Sequence, residues 1–165
     1  MEDFKEVKTG IISLLEDWLP ILSGLPHDVI ALRRNNQNRT IRQIIGHLVD
    51  SASNNIHRIV HLQYRENPLD FPNYASNGNN DRWIAIQNYQ EENWNNLLQL
   101  WKYSNLHLLH VIAHINPAKL DNQWMASPDK KITLREMVVD YLRHFKLHLY
   151  EIEELINTPN SDVQE

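Results

Sequence analysis

The stretch that decides the fold is TLREMVVDYLRHFKLHLYEIEELIN, residues 133–157. Thr133 followed three residues on by Glu136 is a capping box, in which each side chain satisfies a backbone N–H of the first turn. Leu134, Val138, Tyr141, Phe145, His148, Ile152 and Leu155 then recur at alternating steps of four and three. That spacing keeps one stripe of a helix facing a neighbouring helix. The seam is apolar except at His148, and His144 sits one turn back on its flank.

Three further segments carry the same signal. Phe4, Val7, Ile11, Leu14, Leu15, Trp18 and Leu22 predict a helix over about 3–22 that Pro20 should kink or end, with Gly24 and Pro26 closing it. Thr40 and Gln43 form a second capping box and open a helix to about Arg65, striped by Ile41, Ile45, Leu48, Ala52 and Ile59. A third runs from about Tyr89 to Ile115, stopped before Pro117, with the seam Trp94, Leu98, Trp101, Asn105, Leu108, Ile112 and Ile115. Residues 67–80 hold Pro68, Pro72 and Gly78 and read as an irregular excursion, while 116–132 read as a loop with room for a short hairpin. No segment sustains two-residue alternation. The prediction is an all-α four-helix bundle with long irregular loops: one domain over 1–165, its core at about 4–156 and a flexible tail at 157–165.

Composition narrows the chemistry. The chain has 165 residues, a formal charge of −5, nine His and no Cys. An acidic balance speaks against nucleic acid, because phosphate binding needs a concentrated basic surface. No apolar run approaches the roughly 20 residues of a membrane span, and Glu16 and Asp17 interrupt what would be the core of a signal peptide. Without Cys there is no disulfide, thiolate metal site or cysteine nucleophile in the chain, which fits a cytoplasmic protein. A bound metal would have to use imidazole, carboxylate or water, and any thiol would come from outside.

Histidines one helical turn apart can share a metal, and His57/His61, His110/His114 and His144/His148 all have that spacing. Helical phase separates them. His57 and His61 lie opposite the stripe of their helix, and His107, His110 and His114 lie opposite theirs, so both groups read as solvated faces. His148 occupies a seam. Buried there, a neutral imidazole must satisfy two ring nitrogens, either as an ordinary hydrogen-bonded core histidine or as a metal ligand. His47 lies well off the centre of its stripe, so periodicity does not place it inside. Asp50 is three residues on, as a partner of that site or as a surface acid. Trp94, Trp101, Tyr141 and Trp18 read as core; Trp83 and Trp124, in or beside loops, could line the mouth of a site or pack beneath a loop. Glu151, Glu153 and Glu154 read as a solvated face.

The segments TIRQIIGHLVDS (40–51) and ITLREMVVDYLRHFKLHL (132–149) resemble the two signatures of the DinB/YfiT-like superfamily, and the likeness extends over about 4–156. The resemblance implies a four-helix bundle with a three-histidine metal centre, one ligand from the second helix and two from the last. By matching position the metal ligands are His47, His144 and His148; Asp50 stays a candidate partner of one of them on its spacing from His47 alone. Where the family often adds a further His one turn beyond the last ligand this chain has Glu151, and where some members have a His before the first ligand it has Gly46. A divalent metal, zinc or nickel, is implied, along with one of two activities on a small-molecule substrate. The first is transfer of an external low-molecular-weight thiol (bacillithiol or mycothiol type) to an electrophile, which the lack of Cys makes dependent on a cosubstrate. The second is hydrolysis by metal-activated water. A non-catalytic metal- or ligand-binding bundle is the alternative from another class. A homodimer is a further expectation.

Overall fold

The structure, a computed structural model, describes residues 4–158. Its elements are α1 (Lys5–Ser23), α2 (His27–Ala31), α3 (Ile41–Tyr64), α4 (Asn79–Ile86), α5 (Trp94–Ala113), β1 (Gln123–Ser127), β2 (Lys130–Thr133) and α6 (Leu134–Asn157). A 3-10 turn at Pro117–Lys119 follows α5. The four long helices are the four expected. The contacts α1–α5, α5–α3, α3–α6 and α6–α1 set their order around the bundle. This lays α3 directly beside α6. The residues at the start of the first helix and the end of the tail, 1–3 and 159–165, lie outside the described residues.

Both capping boxes form with reciprocal hydrogen bonds, Thr40 with Gln43 and Thr133 with Glu136. Each satisfies first-turn N–H groups that would otherwise lack partners, and together they fix where α3 and α6 begin. Where the seams meet, Trp101 and Phe145, both fully buried, stack with ring centroids 5.8 Å apart. Asn105, the polar member of the α5 seam, accepts a 2.6 Å hydrogen bond from the buried Tyr141 hydroxyl and donates to the Trp101 carbonyl. Its burial therefore leaves no orphaned amide.

The expected boundaries need several corrections. α1 passes through Pro20 to Ser23. Pro20 is exposed, so the carbonyl deprived of its N–H partner can turn to water. The third helix starts at Trp94, not Tyr89. Asn88 takes a left-handed conformation (φ 50°), and the Asn93 side chain caps α5 by accepting from the Asn96 N–H. α2 and α4 were not foreseen; both are short, and α4 starts from Gly78 at φ 71°. The hairpin in the 116–132 loop is present as the antiparallel pair β1–β2. Among the described residues, no helix is long and apolar enough to cross a membrane.

The burial of α3 departs most from its periodicity. Sixteen of its 24 residues are buried, including Gly46, His47, Asp50, Ser51, Asn54, Asn55 and Arg58. Beyond α5 and α6 it is covered by α2, α4 and β1. A helix wrapped on all sides buries polar positions that a simple wheel assigns to solvent.

Candidate metal centre

His47 comes from α3, and His144 and His148 from adjacent turns of α6. The α3–α6 packing brings the three together. His47 Nε2 lies 3.1 Å from His148 Nε2, which is 3.1 Å from His144 Nε2. Ligand atoms of the three lie within 4.8 Å of one another, and no other group of three or more such residues among those described is so placed. His47 is buried, which overturns the outward position its helical phase suggested: α4 and the 67–78 loop cover that face. His148 is buried as its seam position requires, and His144 is half-buried.

The opposite ring nitrogens are also engaged. His148 Nδ1 lies 3.0 Å from a Glu151 carboxylate oxygen. His47 Nδ1 meets the Tyr74 hydroxyl, which also donates to the His47 carbonyl at 3.3 Å. His144 Nδ1 lies 3.5 Å from Ser51 Oγ. An ionised carboxylate only accepts, so Glu151 fixes the His148 proton on Nδ1 and leaves Nε2 as a bare lone pair. That lone pair faces two more imidazole nitrogens.

Charge is kept off two of the rings. Burial, then the neighbouring His148 and His144, pulls His47 down to about 2. Burial, then His148, pulls His144 down to about 4. His47 and His144 are thus neutral near pH 7, the form that binds a metal. Tetrahedral bonds of 2.0–2.1 Å would set ligand nitrogens about 3.3 Å apart. The two 3.1 Å separations are close to that spacing, and all three nitrogens lie within 4.8 Å of one another.

Asp50 takes a different place from the one expected. Its Oδ1 accepts from the Tyr89 hydroxyl at 2.7 Å and from Gln87 at 2.6 Å, and none of its hydrogen bonds reaches an imidazole. Burial raises its carboxyl to about 6, against the lowering effect of Tyr89 and Gln87. The side chains that do hold the imidazoles are Glu151, Tyr74 and Ser51. Glu151 could have been recognised, since i+3 from His148 puts it on the same face. The solvated-face reading holds for Glu153 and Glu154 and fails for Glu151, which is partly buried. Burial opposes ionisation of Glu151, but His148, Asn35 and Arg39 hold its carboxyl below the usual range. Tyr74 sits in the 67–78 loop, where no periodicity marks it.

A cleft of roughly 900 Å³ opens over the cluster, with His47 and His144 in its lining. Tyr74, Arg58, Trp124 and Lys130 are among its walls. Trp124 borders the site and also packs buried beneath the 67–78 loop, its Nε1 donating to the Phe71 carbonyl, so both of its readings hold. Trp83 instead packs edge-on against Tyr74 with centroids 5.3 Å apart. The remaining paired histidines stay at the surface: His57, His107, His110 and His114 are exposed, and His61 is half-buried beside Phe71 and Tyr64.

This architecture has known counterparts. YfiT from Bacillus subtilis, described as a probable metal-dependent hydrolase with an unusual four-helix bundle topology, superposes with a TM-score of 0.72 at 21% identity, over 92% of this chain and 86% of that one. A mutant of mycothiol-dependent maleylpyruvate isomerase superposes with the same score at 14% identity, over 92% of this chain but only 59% of the other. No curated protein matches. The DinB superfamily model matches residues 13–152, a span that includes all three histidines. The chain therefore belongs to the DinB superfamily.

Proposed function

We propose that this chain is a metal-dependent enzyme in which His47, His144 and His148 hold a divalent cation, zinc or nickel, that activates an external low-molecular-weight thiol for transfer to a small electrophile. The observation that carries the reading is the convergence of three Nε2 atoms beneath an open cleft, with each Nδ1 already placed against another side chain. All-nitrogen donors suit zinc or nickel, whereas calcium and magnesium favour oxygen. Held by three protein ligands, such an ion keeps a position open and lowers the pKa of a water or thiol placed there.

The protein's own part is to orient and to exclude. Glu151 and Tyr74 hold two rings in fixed orientations, so little is left to organise when the ion binds. The nearby acids are committed elsewhere: Glu151 to His148, and Asp50 to Gln87 and Tyr89. A thiol, acidic enough to ionise without a dedicated protein base, suits this surrounding, and likeness to a mycothiol-dependent isomerase supports the choice. Hydrolysis is the second reading, favoured by likeness to YfiT.

Elemental analysis of untagged protein is the first test, followed by a thiol-conjugation assay over a panel of electrophiles. Stoichiometric zinc or nickel that is lost in His47→Ala supports the centre. Unchanged occupancy in that variant overturns it. Ester hydrolysis by metal-loaded protein, with no thiol conjugated across the panel, would transfer the assignment to the second reading. Chelation that unfolds the bundle would mark the ion as structural.

A further inference from the structure

Arg39, Arg42 and Arg58 are the buried arginines among the described residues. Of the three, only Arg39 has a carboxylate partner, and only Arg58 lines the cleft. Arg39 pairs with Asp81, its NH2 2.6 Å from a carboxylate oxygen. Arg42 donates from NH1 to the Glu92 carbonyl. Arg58, 8% exposed, has no carboxylate. Its Nε donates to the Asn54 carbonyl at 3.2 Å, and its guanidinium lies over the Trp124 ring at 4.3 Å from the centroid. Among the described residues, no hydrogen bond takes its terminal NH1 or NH2.

Burying a cation without a counter-charge costs several kcal/mol and is seldom retained without a use. Burial lowers Arg58 to about 10, which still leaves it charged at neutral pH. The residue lines the same cleft as the histidines. With one edge fixed by Asn54 and one face on Trp124, what remains is the end-on NH1/NH2 edge, two parallel donors matched to two oxygens. The acids of the cleft wall are already engaged: Asp140 pairs with Arg143, and Glu136 caps Thr133. The Nε bond to Asn54 places the guanidinium about seven residues along α3 from His47, or roughly 10 Å at 1.5 Å per residue.

We infer that Arg58 anchors a carboxylate on the ligand that fills this cleft, its NH1/NH2 edge taking both oxygens while the ligand's other end reaches the three histidines. A planar carboxylate is favoured over a phosphate because Arg58 is the buried cation of the cleft, Lys130, Lys131, Arg135 and Arg143 being exposed at its walls, and its fork geometry matches two oxygens in one plane. The anchor itself stands apart from the metal reading. Only the role of the histidine end rests on that reading.

Calorimetric titration with hexanoate and with its neutral counterpart hexanamide tests the assignment, on the full chain as purified and again after chelation. A charge-assisted pair predicts that hexanoate binds about tenfold or more tightly than hexanamide. The preference should survive chelation, vanish in Arg58→Gln and fall several-fold in Arg58→Lys, which keeps the charge but loses the fork. A structural role for Arg58 would not discriminate acid from amide. Equal binding of the two probes overturns the inference, as does a preference that disappears on chelation, since the carboxylate would then sit on the metal. Inorganic phosphate displacing hexanoate at lower concentration would reassign the anion. Should Arg58→Gln fail to fold, the wild-type acid-to-amide ratio and Arg58→Lys still decide. Absence of bound metal would sink the catalytic proposal and leave this one standing.

Discussion

Replacing Gly46 by Ala sets two effects of opposite sign against each other next to the first histidine. In a helix interior Ala is favoured over Gly by about 1 kcal/mol, so local propensity predicts a stabilised protein. Packing predicts otherwise. A Cβ at position 46 would lie 2.2 Å from Tyr89 Cδ2 and 2.3 Å from Cγ. Cγ lies on the axis about which the ring turns, so turning the ring cannot clear it, and the whole Tyr89 side chain or the chain carrying it must shift. Overpacking of this kind costs about 1–3 kcal/mol. Moving Tyr89 also endangers its 2.7 Å bond to the Asp50 carboxylate, worth about 1.5–3 kcal/mol as a bond to a charged group. Less the propensity gain, the net expectation is a loss of about 1.5–5 kcal/mol, read as a lowered urea midpoint at unchanged slope. In Tyr89→Ala the added methyl has space, so Gly46→Ala on that background should be neutral or stabilising. The cycle should therefore show coupling of at least about 1.5 kcal/mol. A Gly46→Ala single variant as stable as the parent would refute the reasoning, because propensity alone would then decide. The same contact accounts for Gly at a position where some members of the superfamily carry His: with Tyr89 packed on the helix backbone, a larger side chain has no room.

Other expectations follow from the surroundings of the cluster. Glu151→Gln keeps the shape but weakens the hold on His148, and should lower metal affinity by about 10–100-fold in a chelator competition with the circular dichroism spectrum unchanged; equal affinity would mean that the contact does not orient the ligand. Asp50 has a folded pKa of about 6 against an unfolded 3.8, so the stability it contributes is fully present below pH 3.8 and is lost as the pH rises through 6. At 1.36 kcal/mol per pH unit that loss is about 3 kcal/mol. Asp50→Asn should therefore gain on the parent between pH 4 and 7 in urea titrations, and a pH-independent difference would contradict the assignment. Thr133→Ala removes the cap of α6 and should cost about 1 kcal/mol; an unchanged melting temperature would show that hairpin and helix packing hold the first turn without it.

The parts of the structure visible in the chain are those set by near neighbours in sequence. Thr40 with Gln43 and Thr133 with Glu136 place the starts of α3 and α6 because a cap needs only the first turn of its own helix. The 4-3 seam through Phe145 and Trp101 fixes which faces of α6 and α5 turn inward. The inward position of His148 follows from the same periodicity. Glu151 was within reach of that reasoning too, one helical turn from His148, but the two acids beside it made the face look wet.

Position 47 lay beyond periodicity, since the burial of His47 depends on elements far away in the chain. α2, α4 and β1 close over α3 and make an inside of a face that α3's own pattern leaves polar. Family likeness pointed to His47, but the packing of α4 and the 67–78 loop explains why it is inside. The partners of the imidazoles illustrate the same limit. Tyr74 reaches His47 from a loop 27 residues on, and Ser51 meets His144 across the α3–α6 interface. Asp50, adjacent to the site in sequence, turns instead to Gln87 and Tyr89. By itself, then, the sequence determined four helices, the capping boxes of two of them and a chain without thiolate donors, because capping, helical period and the absence of Cys are local or compositional facts. Only the tertiary structure decided which imidazoles meet, what holds them, and that a buried arginine shares their cleft, because those outcomes depend on which distant surfaces exclude water from α3.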